Sequence, residues 1–368
     1  MEHGQMHDRT GDGPNVATSP GASRPLARLP KAHLHLHFTG SMRHGTLVEL
    51  AERDGIRLPS SLTDEWPPEL STMDEKGWFR FQRLYDVARS VLRTEEDVRR
   101  LVLEAALDDA ADGSVWTEIQ VDPSGYGARF GGITAFTDLV IDAVREAGEK
   151  AGIGMGLVVA ANRTRHPLDA RTLARLAAQY AGRGVIGFGL SNDERRGDTS
   201  AFGPAFAIAE RAGLALVPHG GELRGPAHVT QCLDHLHPHR LGHGVRAAES
   251  EAVLDRLATS GVALEVCPTS NVSLGVYATL EEVPVRILTA AGIDVALGAD
   301  DPLLFGSRLG GQYAVLRAAQ DFTDVELAEL ARMSIRRSYA PSDLVQGALA
   351  RVDEWLAAPT TDAGTPTV

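Results

Sequence analysis

The sequence feature that most constrains the fold is a regular alternation of short apolar runs with amphipathic helical patterns. The runs of strand length are AHLHLHF (32–38), VWTEIQV (115–121), MGLVVAA (155–161), VIGFGL (185–190), LALVPHG (214–220), RLGHG (240–244), VALEVCP (262–268) and IDVALGAD (293–300). Helical patterns separate most of them, as at 96–113 and 170–184. Eight such strand–helix units in one domain predict an α/β fold, a closed (β/α)8 TIM barrel. An open, doubly wound parallel sheet is the alternative.

The alternation has one interruption, between the first and second runs. Residues 44–113 have helical patterns and are too long for a single barrel connection. This predicts a helical insertion after strand 1, placed where it could form a lid over the barrel.

The two ends of the chain differ in composition from the middle. Residues 1–28 are rich in Gly, Pro, Ser, Thr and His and have no apolar period, and residues 358–368 are similar. We expect disordered tails at both ends and a single barrel domain over residues 29–357.

Charge and cysteine content exclude several classes of protein. The formal net charge is −13, which argues against binding nucleic acid or an anionic membrane surface. No apolar run is long enough to span a membrane, and the start of the chain has no secretory signal pattern. The two cysteines, Cys232 and Cys267, are not in C-x-x-C spacing. We therefore expect a cytoplasmic protein without disulfides.

Imidazoles and carboxylates gather at the ends of the apolar runs. They are His35, His37, His219, His243, Asp300 and Asp301. Because active sites of TIM barrels lie at the carboxyl ends of the strands, these side chains are expected to converge at one rim.

The spacing of the first two histidines predicts a metal site. His35 and His37 are two residues apart on one strand and so point to the same side. His219 and Asp300 add an imidazole and a carboxylate from distant strands, and zinc accepts both ligand types while leaving room for a water. One isolated histidine is more often structural than a ligand, so the prediction depends on the convergence of the set.

We expect one Zn2+ per chain. His33 shares the face of His35 and His37 but lies one layer deeper, so a buried, hydrogen-bonded histidine is expected there. Two-metal sites of this barrel type commonly use a carboxylated lysine at the end of strand four, and the fourth run, VIGFGL, contains none.

Five short motifs of the chain, taken together, resemble those of a known protein family. HLHFTGS (35–41), HGGE (219–222), GHG (242–244), CPTSN (267–271) and GADDP (298–302) occur in the order typical of one family. Over residues 29–355 the chain resembles the adenosine deaminase family of the amidohydrolase superfamily. SNDE (191–194) takes the place of a motif more often written with Ala-Gly before Asp-Glu.

The resemblance implies a hydrolytic deaminase of a small 6-aminopurine nucleoside. Its zinc ligands would be His35, His37, His219 and Asp300. Glu222 would protonate ring N1 and His243 would orient the attacking water, so that Glu222, His243 and Asp300 form the catalytic set. Asp301 would bind N7, and the backbone N–H of Asn192 would bind N3.

Each of these roles has a purely structural alternative. Glu222 could cap the following helix, Asp301 could cap a turn before Pro302, and His243 could be a packing histidine. The joint occurrence of all three residues, in the order of the motifs, favours the functional interpretation.

Thr39 is a departure from the family pattern. In typical members of the family that this chain resembles, an Asp stands at this position and is the hydrogen-bond partner of the ribose 5′-hydroxyl. This chain instead has Thr39, within HFTGSMR. The stretch looks like the bacterial 6-aminodeoxyfutalosine deaminases, which act in the futalosine route to menaquinone. Plain adenosine and methylthioadenosine are the alternative substrates.

A second departure follows run two, where E-x-R of the family is replaced by Glu118-Ile119-Gln120. A substrate carboxylate would favour a guanidinium partner, and Arg43 and Arg129 are the candidates in the loops after runs one and two. Their alternative role is that of solvated surface charges.

Two other functional classes stay open on the sequence. One is a metal-dependent ester or amide hydrolase on the same barrel, and the other is a non-catalytic purine-binding barrel. The cytidine-type zinc deaminases are excluded, because Cys267-Pro268 lacks the second cysteine of P-C-x-x-C.

Overall fold

Eight parallel strands form one sheet in which each strand pairs with the next along the chain. The computed structural model describes residues 22–72, 74–359 and 361–362. The strands are β1 (Lys31–His37), β2 (Ser114–Val121), β3 (Gly154–Asn162), β4 (Val185–Ser191), β5 (Ala215–Gly220), β6 (Arg240–His243), β7 (Ala263–Val266) and β8 (Val295–Leu297).

The sheet closes between its first and last strands. Leu36 in β1 pairs in parallel with Asp300, just after β8. The His37 N–H donates to the Asp300 carbonyl at 2.9 Å, and the Asp300 N–H donates to the His35 carbonyl at 3.0 Å. Since an open sheet would leave these two edges apart, the predicted (β/α)8 barrel is confirmed.

Helices surround the barrel. They are α1 (His44–Arg53), α2 (Glu75–Ser90), α3 (Glu95–Ala111), α4 (Ile133–Ala151), α5 (Pro167–Gln179), α6 (Gly203–Arg211), α7 (Pro226–Leu236), α8 (Glu251–Ser260), α9 (Pro268–Ser273), α10 (Val285–Ala290), α11 (Pro302–Phe305), α12 (Leu309–Ala319), α13 (Asp324–Arg337) and α14 (Ser342–Ala357). None of the helices in the described part of the chain is both long and apolar enough to cross a membrane.

Local sequence signals fix where individual helices begin and end. α3 starts at a capping box, in which the Thr94 side chain accepts from the Asp97 N–H and the Asp97 side chain accepts from the Thr94 N–H. α5 ends at Gln179, earlier than the 170–184 pattern predicted. Gly182 and Gly184 follow at φ +73° and +110°, a backbone region that ends a helix.

The helices bury one face against the sheet. In α4 the buried side chains recur at three- and four-residue intervals, at Phe136, Val140, Ala143, Val144 and Ala147. Full burial of a Phe or Val side chain contributes roughly 1.5–3 kcal/mol, so this face anchors the helix.

The predicted helical stretch after strand 1, residues 44–113, is confirmed and contains α1, α2 and α3. α2 reaches over the carboxyl end of the barrel, where the Phe81 ring stacks on Phe305 with centroids 6.1 Å apart. In the preceding loop, the Trp66 indole N–H donates to the Leu303 carbonyl at 2.7 Å. The insertion therefore rests on the segment that follows β8.

The two ends of the described chain meet. Ala22–Ser23 pairs antiparallel with Thr361–Asp362, and Arg24 forms an ion pair with Asp324 at 3.1 Å. The predicted tail boundaries at 28 and 358 therefore both fall within ordered contacts. The remainder of the predicted tails, residues 1–21, 360 and 363–368, lies outside the described residues.

Candidate active site and metal centre

The carboxyl ends of β1, β5 and β8 bring the predicted metal ligands together. The Nε2 atoms of His37 and His219 lie 3.1 Å apart. Asp300 Oδ1 lies 3.2 Å from His37 Nε2 and 3.6 Å from His35 Nε2. Two ligands at zinc–nitrogen distance from a tetrahedral ion would be separated by about 3.3 Å, so these spacings fit a zinc ion.

Unpartnered buried atoms mark the same place. His35 Nε2, Glu222 Oε1 and Asp301 Oδ1 are buried and have no hydrogen-bond partner within the described residues. Buried polar atoms are nearly always partnered, so a set of three at one rim is typical of a site built for a metal and a polar substrate.

A second layer of carboxylates and hydroxyls holds the predicted ligands in place. His35 Nδ1 donates to Glu265 Oε2 at 2.7 Å, which leaves the Nε2 lone pair for a metal. Ser270 Oγ donates to Asp300 Oδ2 at 2.5 Å. Glu265 is held in turn by Arg240 Nε at 2.6 Å. Burial works to raise the pKa of Glu265, but Arg240 and His35 outweigh it and lower the pKa.

The backbone turns sharply where the functional side chains lie. Asn192, His243 and Asp300 all have left-handed backbones, at φ +80°, +62° and +61°. This conformation costs a non-glycine residue of order 1–3 kcal/mol and tends to cluster at active sites. Here all three residues lie at or just beyond the carboxyl ends of strands, namely β4, β6 and β8.

Two glycines give space to the polar side chains. A Cβ on Gly242 would lie 2.8 Å from His35 Cε1. A Cβ on Gly40, within the HFTGS motif, would lie 1.8 Å from Asp301 Oδ1. Only glycine therefore allows these two side chains to adopt their observed positions.

The two predicted acid–base groups, Glu222 and His243, have shifted pKa values. Burial, together with the charge of Asp300, raises the pKa of Glu222 well above its ordinary range. Burial also lowers the pKa of His243 to about 4, and His243 Nε2 lies 3.5 Å from Glu222 Oε1. The arrangement can present a neutral carboxylic acid beside a neutral imidazole at physiological pH.

His33 has the structural position that the sequence indicated. Its Nδ1 lies 2.8 Å from Asp109 Oδ2, and its Nε2 accepts the Ala299 N–H at 3.0 Å. Both ring nitrogens are thus used within the barrel interior.

The substrate-side residues are only partly brought together. Asp301 and Asn192 line the cavity above the metal cluster, and the Asn192 amide donates to Gln82 Oε1 at 3.1 Å. Thr39 is fully buried, and its hydroxyl is hydrogen-bonded to the Tyr126 hydroxyl. Tyr126, rather than Thr39, reaches the cavity wall.

The two predicted arginines, Arg43 and Arg129, are not among the described residues that line this cavity. Arg43 is paired with Asp108 at 2.7 Å, and Arg129 donates to the carbonyl groups of Arg89 and Leu92. The Arg43 guanidinium is thus matched to a carboxylate, and the Arg129 guanidinium is matched to backbone carbonyl groups next to the cavity-lining helix face. The guanidinium among the cavity-lining residues is that of Arg89.

The cavity has an aromatic wall. Counted together with the open solvent at its mouth, the space amounts to about 750 Å³. One face of α2 supplies Trp78, Phe81, Gln82, Tyr85 and Arg89. Sequence reasoning missed these residues, although their spacing of three, four and seven residues is that of one helical face.

Sequence reasoning also missed the supporting carboxylates. Glu265 lies within the apolar run VALEVCP, and a charge inside a strand was a usable signal. Glu194 lies in the quoted SNDE motif without an assigned role. Its side chain is fully buried and is hydrogen-bonded to the Glu222 loop.

Comparisons with known proteins agree with this geometry. The family model described as adenosine deaminase matches residues 30–355. A Streptomyces virginiae protein named putative adenosine/adenine deaminase is 60% identical over 334 residues, covering 91% of this chain and 98% of that protein. An adenine deaminase of Rhizobium leguminosarum bv. trifolii is 34% identical over 326 residues, covering 88% and 99%.

A solved structure gives the same answer. The crystal structure of an adenine deaminase from Arthrobacter aurescens matches with a TM-score of 0.82 at 32% identity. The match covers 89% of this chain and 99% of that one. The family model covers most of the chain, and the spacings at the rim are compatible with zinc. This chain therefore belongs to the adenosine deaminase family of the amidohydrolase superfamily and is a zinc-dependent hydrolytic deaminase of the adenosine/adenine type.

Proposed function

We propose that this deaminase acts on a 5′-modified adenosine, and that its substrate is 6-aminodeoxyfutalosine. The reaction would consume one water and yield futalosine and ammonia, in the futalosine route to menaquinone. The observation that carries the proposal is the environment of Thr39. A buried hydroxyl bonded to Tyr126 stands where the resembling adenosine deaminases have a carboxylate for a free 5′-hydroxyl.

The metal would be held by His35, His37, His219 and Asp300. When bound, zinc would lower the pKa of a water toward neutrality and so supply the nucleophile. The chain's own contribution is the second layer, because Glu265 and Ser270 fix the ligand orientations.

Three side chains around the cluster would handle protons and orientation. Glu222, kept protonated by its raised pKa, would donate to ring N1 and make C6 electrophilic. The neutral imidazole of His243 would orient the attacking water and accept its proton. Asp301, whose pKa is raised by burial, would share a proton with N7.

The outer cavity would receive the 5′ substituent. This substituent is an aryl ketone that carries a carboxylate, so it needs an apolar wall and a cation. Trp78, Phe81 and Tyr85 offer the wall, and Arg89 offers a guanidinium whose buried Nε has no partner among the described residues. Asp86, 3.2 Å from Arg89, is largely exposed and would compete only weakly.

Free adenine is the second candidate substrate. The observation in its favour is that relatives at 32–34% identity are named adenine deaminases. A site without a carboxylate at position 39 would also suit a substrate that has no ribose.

A substrate panel tests the proposal. We would measure kcat/KM for 6-aminodeoxyfutalosine, adenosine, methylthioadenosine and adenine with zinc-loaded enzyme. The proposal expects 6-aminodeoxyfutalosine to exceed the other three by at least roughly tenfold, because only it fills the outer cavity. A higher value for adenine would replace the proposal with the second candidate.

A further inference from the structure

The loop that carries Glu222 has buried backbone N–H groups that need hydrogen-bond acceptors. Residues 221–225 connect β5 to α7, and Gly221, Glu222 and Leu223 are buried. Buried backbone N–H groups cannot be left to water and need acceptors. The loop forms no strand or helix that could supply them.

One side chain supplies these acceptors. Glu194 Oε2 accepts from the N–H groups of Glu222, Leu223 and Arg224 at 3.1, 3.0 and 3.0 Å. Its Oε1 also lies 3.2 Å from the Glu222 N–H. A single carboxylate beyond the end of β4 thus holds three successive amides of the loop after β5.

A buried cluster holds Glu194 in turn. His228 Nδ1 lies 3.2 Å from Glu194 Oε2, and His228 Nε2 lies 3.2 Å from Arg163 Nη1. Since arginine only donates, His228 Nε2 must accept, and Nδ1 therefore carries the proton that it gives to Glu194. Arg163 Nη2 also donates to the His219 carbonyl at 2.5 Å. The cluster spans the ends of β3, β4 and β5 and one face of α7.

We propose that Glu194 is a positioning residue that fixes the backbone of the Glu222 loop and so sets where the Glu222 carboxyl meets the substrate ring. Glu194 does not line the cavity, so it acts through Glu222 and not by contact with substrate. The negative charge of Glu194 behind Glu222 also acts to raise the Glu222 pKa. The inference rests on the proposed role of Glu222 as the acid.

The test uses Glu194→Gln in the zinc-loaded enzyme. The amide keeps the size of the side chain but removes the negative charge and leaves one acceptor oxygen where the carboxylate has two. We expect kcat to fall at least about tenfold while KM changes by less than about threefold, because misplacing an acid affects the transition state more than binding. Zinc content should stay at one ion per chain.

Asp97→Asn is the matched control. Asp97 is also a buried carboxylate that accepts two backbone N–H groups, those of Arg93 and Thr94, but it lies at the start of α3, away from the cavity. We expect it to lower the melting temperature and leave kcat unchanged. Equal kcat in the folded Glu194→Gln and Asp97→Asn proteins would overturn the inference.

A double variant separates this inference from the proposed function. If Glu194 acts through Glu222, adding Glu194→Gln to Glu222→Gln should lower kcat no further. A multiplicative further loss contradicts the inference. Full activity of Glu222→Gln alone would instead remove the proposed role of Glu222. Should Glu194→Gln fail to fold, Glu194→Asp, which retains the charge but is shorter, is judged by the same split between kcat and KM.

Discussion

At the scale of residues, the metal cluster is a set of paired interactions. His33 and His35 lie two residues apart on β1, and the Nδ1 of each is hydrogen-bonded to a carboxylate. The partner of His35 is Glu265, and the partner of His33 is Asp109. Only His35 has its Nε2 at the metal cluster, since His33 Nε2 accepts a backbone N–H. The same kind of pair would therefore orient the proposed ligand His35 in one layer, while in the next layer it holds His33 in the barrel interior.

This pairing yields a prediction for zinc affinity. Glu265→Gln should weaken zinc binding by roughly 10–100-fold, because the His35 ring loses its charged partner. Competition with a chelator would measure the zinc dissociation constant. Asp109→Asn is the control, since it changes the same kind of pair on a histidine outside the cluster. Equal zinc affinity in both variants would contradict a supporting role for Glu265.

The residue scale also explains which functional positions the sequence identified. Histidines at alternate positions and carboxylates at strand ends predicted the cluster because side-chain parity along a strand is a local property. The partners of Arg43 are not local, since Asp108 is distant in sequence. The sequence could place this guanidinium in a loop but could not show that its charge was already matched.

At the scale of elements, α2 has two functions. It packs on the segment after β8 through Phe81, and it presents Tyr85 and Arg89 to the cavity. Arg89 lies over the Tyr85 and Tyr126 rings, with its Cζ 5.2 and 5.7 Å from their centroids. Aromatic contact and a partly buried position hold the guanidinium in place, where it could meet the anionic group of the proposed substrate.

A prediction for substrate selectivity follows from α2. Arg89→Gln should raise KM for the carboxylated nucleoside at least about tenfold and leave KM for adenosine within about twofold, since only the former offers a bidentate partner. Steady-state kinetics on both substrates would measure this. Arg43→Gln is the control with its guanidinium outside the cavity. A similar change for both substrates in Arg89→Gln would remove Arg89 as the carboxylate partner.

At the scale of the whole molecule, buried charges couple stability to pH. Burial works to raise the pKa of Glu194, but His228, Arg163 and the loop N–H groups lower it from 4.5 to about 2. A carboxylate with a depressed pKa stabilises the folded state fully above its unfolded pKa. That contribution is lost as the pH falls from about 4.5 toward 2.

The resulting prediction concerns the free energy of unfolding. A shift of this size corresponds to roughly 3 kcal/mol at neutral pH, of which about 2 kcal/mol is lost between pH 6 and pH 3. Urea unfolding at both pH values should therefore show a smaller loss of stability for Glu194→Gln than for the wild type. Zinc release in acid affects both proteins, so their difference is the measured quantity. Glu210→Gln, which changes an exposed carboxylate, serves as the control. If Glu194→Gln lost as much unfolding free energy between pH 6 and pH 3 as this control does, the prediction would be contradicted.

The sequence by itself determined the barrel, the insertion after strand 1 and the convergence of His35, His37, His219 and Asp300. These depend on periodicity along each strand and on the rule that parallel strands end at one rim. The tertiary structure decided that Thr39 faces Tyr126, that Arg89 lines the cavity and that Glu194 holds the Glu222 loop. Each of these facts is a contact between residues far apart in sequence, and such contacts are set by packing, which a local pattern does not encode.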